Sequence, residues 1–170
     1  MPRPAAAAAS GLRWRDRPSP ADAAAVAELV AATGVFRPAE VAIARELVLA
    51  ALERGAAASG YHFLLVDDAR GLAGYVCFGP IDGTEASFDL YWIAVRPDLQ
   101  GRGLGGELLV AAEARIAALG GRRIYVETST SAAYAATRAF YRARSYRPEA
   151  VLADFYAPGD GKAILVKVLP

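Results

Sequence analysis

The stretch Asp89–Thr130 reads DLYWIAV (89–95), RPDLQGRGLGG (96–106), ELLVAAEARIAALG (107–120) and GRRIYVETST (121–130). It predicts a strand, a glycine-rich turn, an amphipathic helix and a second strand. Gly101, Gly103, Gly105 and Gly106 crowd into six residues where the helix should begin. Glycine lets the backbone approach a ligand closely, and the first N–H groups of a helix have no internal partner. A strand feeding such a turn suits an anionic group such as a pyrophosphate. Along the helix, Leu108, Leu109, Ala112, Ile116 and Leu119 are predicted to face the core, with Glu113 and Arg115 on the other side.

Working outward, 170 residues are enough for one domain with a real core. A net charge of +1 gives no electrostatic case for nucleic acid or an anionic membrane. The basic residues are almost all arginine; Lys162 and Lys167 are the only lysines. The single cysteine, Cys77, excludes an internal disulfide framework and fits a reducing compartment. Its apolar setting (GYVCFG) reads as buried filler rather than as a nucleophile. The start, MPRPAAAAAS, is alanine-rich and broken by Pro2 and Pro4. It reads as a disordered leader over residues 1–10, ahead of a single domain over 11–170. No run reaches the ~18 apolar residues of a membrane span, so a cytoplasmic protein is expected.

Taken in order, Leu12 to Arg17 alternates as a first, edge-like strand. Ser19 or Asp22 caps a helix with a stripe of Ala25, Val26, Leu29 and Val30, which stops at Gly34. A second helix opens at Arg37-Pro38-Ala39-Glu40 and runs to Gly55, with GAAASG (55–60) as a loop. Tyr61–Val66 and Leu72–Phe78 form a hairpin, and Ser87–Val95 is the strand before the glycine turn. After the crossover helix come a strand over Arg123–Thr128 and a short helix over Ser131–Arg144. Two closing strands, Tyr146–Tyr156 and Ala163–Val168, are joined by Pro158-Gly159-Asp160-Gly161. The order β, α, α, β, β, β, α, β, α, β, β implies a mixed α/β (α+β) sheet, mostly antiparallel with one parallel crossover.

Two readings of the turn compete. Gly101 to Gly106 satisfy G-x-G-x-x-G, and Glu127 lies 21 residues beyond Gly106, near the ~20 expected of a ribose-binding acid. A dinucleotide-binding unit is disfavoured, because Arg96 to Gln100 intervene after the strand, only one crossover exists, and the preceding strands form hairpins. The same residues also read Gln100-Gly101-Arg102-Gly103-Leu104-Gly105, which is Q-x-x-G-x-G after a strand ending Ile93-Ala94-Val95. With this element order and a later Phe140-Tyr141 pair, the chain resembles the GNAT superfamily of acetyl-CoA-dependent N-acetyltransferases from about Gly11 onward. The resemblance implies the GNAT acyl-CoA N-acyltransferase fold. It implies that the pantetheine arm of acetyl-CoA, the cosubstrate, pairs with Ile93, Ala94 and Val95. The pyrophosphate would rest on Gln100, Gly101, Arg102, Gly103, Leu104, Gly105 and Gly106.

Acetyl transfer to an amine needs a neutral amine, donors for the tetrahedral oxyanion and a proton or donor for the leaving thiolate. An ammonium of pKa ~10 must lose a proton, and a thiol of pKa ~8.5 can be served by a nearby tyrosine hydroxyl. Tyr141 is the candidate acid, since TRAFYRARSY resembles the family's A-x-x-L-Y-x-x-x-G-F. Tyr134, Thr137 and Ser145 depart from the family pattern, the last standing where a glycine is common. Candidate bases are Glu127, Asp89 and, in the loop ahead of it, Glu85. His62, the only histidine, opens a hairpin strand away from the motif and is assigned a structural or exposed role rather than a catalytic one. The oxyanion donor is placed at a backbone N–H near Ile93 or Ala94. By the resemblance, the loop between the last two strands borders the acceptor, so Asp154, Tyr156 and Asp160 would line an acidic-aromatic pocket, with Glu85 a further acceptor contact.

The reading is an N-acetyltransferase acting on a small-molecule primary amine by direct attack in a ternary complex, with no metal, nucleic acid or membrane partner. A protein lysine or N-terminal amine, or acyl-CoA sensing without turnover, stands as the alternative. A homodimer is compatible with it.

Overall fold

Burial alternates along four of the strands, His62–Asp68, Ser87–Val95, Arg123–Ser129 and Asp160–Val168, whereas Gly71–Pro80 is buried along most of its length and Arg147–Ala157 is almost wholly exposed. A computed structural model describes residues 11–170, and the leader expected over 1–10 lies outside the described residues. The elements are β1 (Arg13–Arg15), α1 (Asp22–Ala32), α2 (Pro38–Ser59), β2 (His62–Asp68), β3 (Gly71–Pro80), β4 (Ser87–Val95), α3 (Leu104–Ala118), β5 (Arg123–Ser129), α4 (Ala135–Arg142), β6 (Arg147–Ala157) and β7 (Asp160–Val168). Their order is the one the sequence predicts. The strands form a seven-stranded sheet in the order β1-β2-β3-β4-β5-β7-β6. β4 and β5 run parallel, while β1/β2, β2/β3, β5/β7 and β6/β7 are antiparallel. Among the described residues no helix is long and apolar enough to cross a membrane.

The chain divides into two compact units, one running up to Phe78 with Trp92–Ala112, the other comprising Gly79–Tyr91 and Glu113–Pro170. The first has its core between α1, α2 and the sheet: Val26, Leu29 and Val30 with Ala44, Val48 and Ala51, closed by Phe63, Leu65, Tyr75 and Cys77. Cys77 is a buried free thiol. The start of α1 is not capped as predicted. Asp22 is the first helical residue, and its buried carboxylate accepts from Ser19 N (2.6 Å), Ser19 Oγ (2.9 Å) and both terminal nitrogens of Arg15. Burial pushes that carboxyl up, but the Arg15 and Ser19 hydrogen bonds outweigh it and hold it below its ordinary range. Arg15 also reaches Asp67 on β2, so one guanidinium ties β1, β2 and α1 together.

The loop expected over 55–60 is a correction. Gly55 leaves helical geometry (φ 77°, ψ 164°), yet a further turn runs to Ser59 and ends at the left-handed Gly60. The alanines after Gly55 favour a helix enough to resume it. In the second unit, Ile124, Val126 and Leu165 are buried with Tyr141 and Tyr146. The predicted face of α3 also needs correcting at two positions. Leu119 lies past the helix end and is 43% exposed. Glu113 is not solvated: Tyr146 donates to its Oε1 at 3.1 Å and Lys167 Nζ lies 2.7 Å from its Oε2.

Candidate active site

The glycine loop belongs to the first unit. Its base is fixed by Arg96, the first residue after β4. The Arg96 N–H donates to Ala73 O (2.9 Å), and its guanidinium grips Asp68 and Asp98, the latter at 2.7 Å. The Arg96 hydrogen bond holds the Asp68 carboxyl down to about 2. A single 3₁₀ turn, Pro97–Leu99, then carries the chain to Gln100. The Gln100 side chain turns back and donates from Nε2 to Val95 O at 3.0 Å, tying the loop to the end of its strand. Gly101 (φ 74°) and Gly103 (φ 95°) are left-handed, and a Cβ at either would point into open space. The helical ladder of α3 opens with Glu107 N on Gly103 O at 3.1 Å. Ahead of it, the amides of the first turn are those a helix leaves without an internal partner. First-turn amides without an internal partner, beside left-handed glycines, are the geometry that suits an anionic group. Ala94 and Val95 are buried, whereas Ile93 is half-buried and Arg102 exposed.

The carboxylates belong to the second unit. β4 pairs with β5 over Ser87–Asp89 against Arg123–Tyr125, so Asp89 stands opposite Tyr125 and on the same face as Glu127. Asp89 is half-buried, and among the described residues its carboxylate has no hydrogen bond or ion pair. Burial, then the charge of Glu127, push it up to about 6, with Lys162 pulling the other way. Glu127 is paired: Lys162 Nζ on β7 lies 2.6 Å from its Oε2. The same ammonium sits 3.9 Å from the ring centroid of Phe155 on β6. The sequence brought out Asp89 and Glu127 but missed Lys162 and Phe155. The alternation of Asp160-Gly161-Lys162-Ala163 on a closing strand was the available signal, but only the register of β7 against β5 gives it meaning.

Tyr141, near the end of α4, is 3% exposed, with its ring edge-on to Phe140 (5.2 Å) and Tyr146 (5.3 Å). Burial raises its phenol above the ordinary value, so it stays protonated at neutral pH. Ser145, where the family pattern favours glycine, is left-handed at φ 71°. The remaining acidic candidates do not gather around Asp89. Glu85 lines a shallow depression with Arg122 and Arg123 at the start of β4 and β5. Asp154 is exposed, and its Oδ1 accepts from Gly159 N at 2.7 Å, organising the β6–β7 turn. Asp160 accepts from Ser129 Oγ, pinning that turn to the end of β5. Tyr156 is half-buried against Phe155, with ring centroids 5.0 Å apart. His62 stacks on Phe78. Among the described residues no cluster of His, Cys, Asp and Glu has the makings of a metal site.

A glycine-rich turn between a β4 that pairs in parallel with β5 and the helix α3, on a mixed seven-stranded sheet, defines an acyl-CoA N-acyltransferase fold. The model of the Acetyltransferase (GNAT) family matches residues 29–146, and the chain belongs to that family of acetyltransferases. No curated protein matches the chain. Among solved structures, a GNAT-family protein from Desulfovibrio desulfuricans is 41% identical, over 92% of this chain and 98% of that one, with a TM-score of 0.87. YncA from Salmonella typhimurium, bound to its cofactor acetyl-CoA, is 18% identical over 95% of each chain, with a TM-score of 0.71. An aminoglycoside 6′-N-acetyltransferase from Enterococcus faecium is 18% identical over 94% of this chain and 97% of that one, again at a TM-score of 0.71. The last two share the fold.

Proposed function

We propose that residues 11–170 act as one N-acetyltransferase domain that moves an acetyl group from acetyl-CoA to a primary amine of a small molecule. The observation that carries the donor half is the loop from Gln100 to Gly106, stapled to Val95 O and opening α3 with two left-handed glycines. The acetyl-CoA bound to the fold-related YncA supports the same donor. In this reading the backbone of Ile93, Ala94 and Val95 pairs with the pantetheine arm, and the loop amides take the pyrophosphate.

The acceptor half rests on chemistry. An ammonium must shed a proton before its lone pair can attack, and a carboxyl poised near 6 suits that task better than one near 4. Asp89 and Glu127 are the proposed acceptor-side carboxylates, and Tyr141, protonated and buried, is the proposed donor to the departing thiolate. Glu85 and the half-buried Tyr156 are proposed acceptor contacts, and Asp154 shapes the turn beside Tyr156. Cys77 is buried and its thiol pushed well up by burial, so a covalent acetyl-cysteine is disfavoured and direct attack preferred. An amine acceptor is supported by the fold-related aminoglycoside enzyme. A cytoplasmic location completes the reading, in keeping with the free, reduced Cys77.

The test is CoA release across a panel of small amines, with N-terminal and lysine peptides alongside. Turnover on small amines is expected. Turnover confined to peptides moves the acceptor to protein, and tight acetyl-CoA binding without turnover on any amine makes the chain a sensor.

A further inference from the structure

Two carboxylates on one sheet face, Asp89 and Glu127, can each be imagined as the base. Lys162 separates them. On β7 it is in register with Ser129, and Glu127 is in register with Ile164, so Lys162 and Glu127 are diagonal neighbours on one face. The lysine is the half-buried partner of the pair, 13% exposed against 49% for Glu127. Its ammonium is held from the other side by the Phe155 ring, 3.9 Å from the centroid. Burying a lysine is costly unless its charge is matched, so this contact is selective rather than incidental. The chain's other lysine, Lys167, is likewise set on a glutamate, Glu113, in a protein whose remaining basic residues are all arginine.

We infer that Lys162 is a positioning residue of the amine-activating site: it takes Glu127 as its counter-ion and leaves Asp89, which has no partner among the described residues, as the carboxylate that accepts the acceptor's proton. The inference rests on the reading of the chain as an amine acetyltransferase. The charged groups that face Asp89 are Glu127 from β5 and Lys162 from β7; Tyr125 is its in-register neighbour, and Asp154 on β6 is turned to Gly159 N. The acceptor ammonium gives one proton to Asp89, which passes it to water. The freed lone pair forms the C–N bond to the acetyl carbon, and the C–S bond then breaks. A second proton leaves the nitrogen, and the sulfur ends protonated as the thiol, so the reaction releases one proton net.

Lys162 acts on Asp89 through charge, which gives the test opposed signs. The carboxyl carbons of the full chain are titrated by NMR in the wild type, Lys162→Met, Lys162→Arg and Glu127→Gln. Asp89 in the wild type should titrate at about 6. Lys162→Met removes the lowering cation and should move that midpoint up by about one pH unit. Glu127→Gln removes the raising anion and releases Lys162, moving the midpoint down by about one pH unit. Lys162→Arg should restore the wild-type value, which separates charge from packing. The acidic limb of kcat/KM for an amine acceptor should follow the same order, and Asp89→Asn should remove it. An Asp89 midpoint that is the same in all four proteins overturns the inference. So does an acidic limb that tracks Glu127, or one indifferent to Lys162 while amine turnover persists. Absence of amine turnover in the wild type overturns the underlying reading and the inference with it.

Discussion

In the loop after β4 the groups on offer are backbone amides, held by Gln100 on Val95 O and by two glycines in left-handed geometry. In the second unit every atom of interest belongs to a side chain: the Asp89 and Glu127 carboxylates, the Lys162 ammonium and the Tyr141 hydroxyl. The two regions therefore fail differently. A backbone cradle tolerates changes of side-chain chemistry but not of φ. A side-chain site tolerates backbone-neutral changes but not the loss of one polar atom. The difference also decides what each can specify. On the proposed reading, a cradle of amides would recognise any phosphate of the right shape and so fit a common donor, whereas an arrangement of charges would discriminate among acceptors.

The largest effect that would break this contrast lies in the side-chain region. Tyr141→Phe deletes one oxygen from a buried ring and leaves α4 otherwise intact. As the proposed acid it should cost about 100-fold in kcat, with the Kd for acetyl-CoA unchanged in calorimetry. Unchanged turnover removes Tyr141 from the mechanism; weakened acetyl-CoA binding with normal kcat makes it a cradle residue instead. Next is Gly103→Val in the loop. Its Cβ would meet nothing within 4 Å, so the protein itself has room for it. The cost comes from φ 95°, which a β-branched residue adopts only under strain, and from a side chain standing where the phosphates should lie. The Kd should rise at least about 10-fold, a loss of about 1.4 kcal/mol. Near-wild-type affinity would mean that the loop is not the cradle.

What could be read from the chain divides along the same line. The loop was legible because its geometry is local: Gln100, Gly101 and Gly103 set their own backbone within four residues, and a strand and a helix flank them. The element order was legible for the same reason, since each period belongs to its own segment. Boundaries slipped where local and neighbouring preferences compete, as at Gly55, which breaks α2 without ending it because helix-favouring alanines follow. The charge pairs could not be read at all. Glu127 and Lys162 are 35 positions apart and Glu113 and Lys167 are 54 apart, and their meeting depends on the registers of β7 with β5 and of α3 with the sheet. Glu113 reads onto a polar helix face and Glu127 as a candidate base, yet both meet a lysine, Glu113 half-buried and Glu127 exposed. Asp89, by contrast, has no hydrogen bond or ion pair among the described residues, and burial, then the charge of Glu127, push its carboxyl up.

The smallest effect concerns a backbone device inside the side-chain region. Ser145 ends α4 at φ 71°, with Tyr146 N donating to Tyr141 O at 3.1 Å, so the left-handed turn sets where both tyrosines sit. A residue with a Cβ is strained there by about 1–2 kcal/mol, and glycine returns some of that gain as unfolded-state entropy. Ser145→Gly should therefore stabilise the protein by about 0.5–1 kcal/mol, raising Tm by about 1–4 °C. Ser145→Ala keeps the strain and should give no such gain. Because the turn keeps its shape, kcat should stay within about twofold of wild type. A lower Tm with Ser145→Gly would mean that the serine hydroxyl outweighs the φ cost. An altered kcat at unchanged Tm would mean that this turn governs how Tyr141 is held, so that backbone conformation matters in the second region as it does in the first.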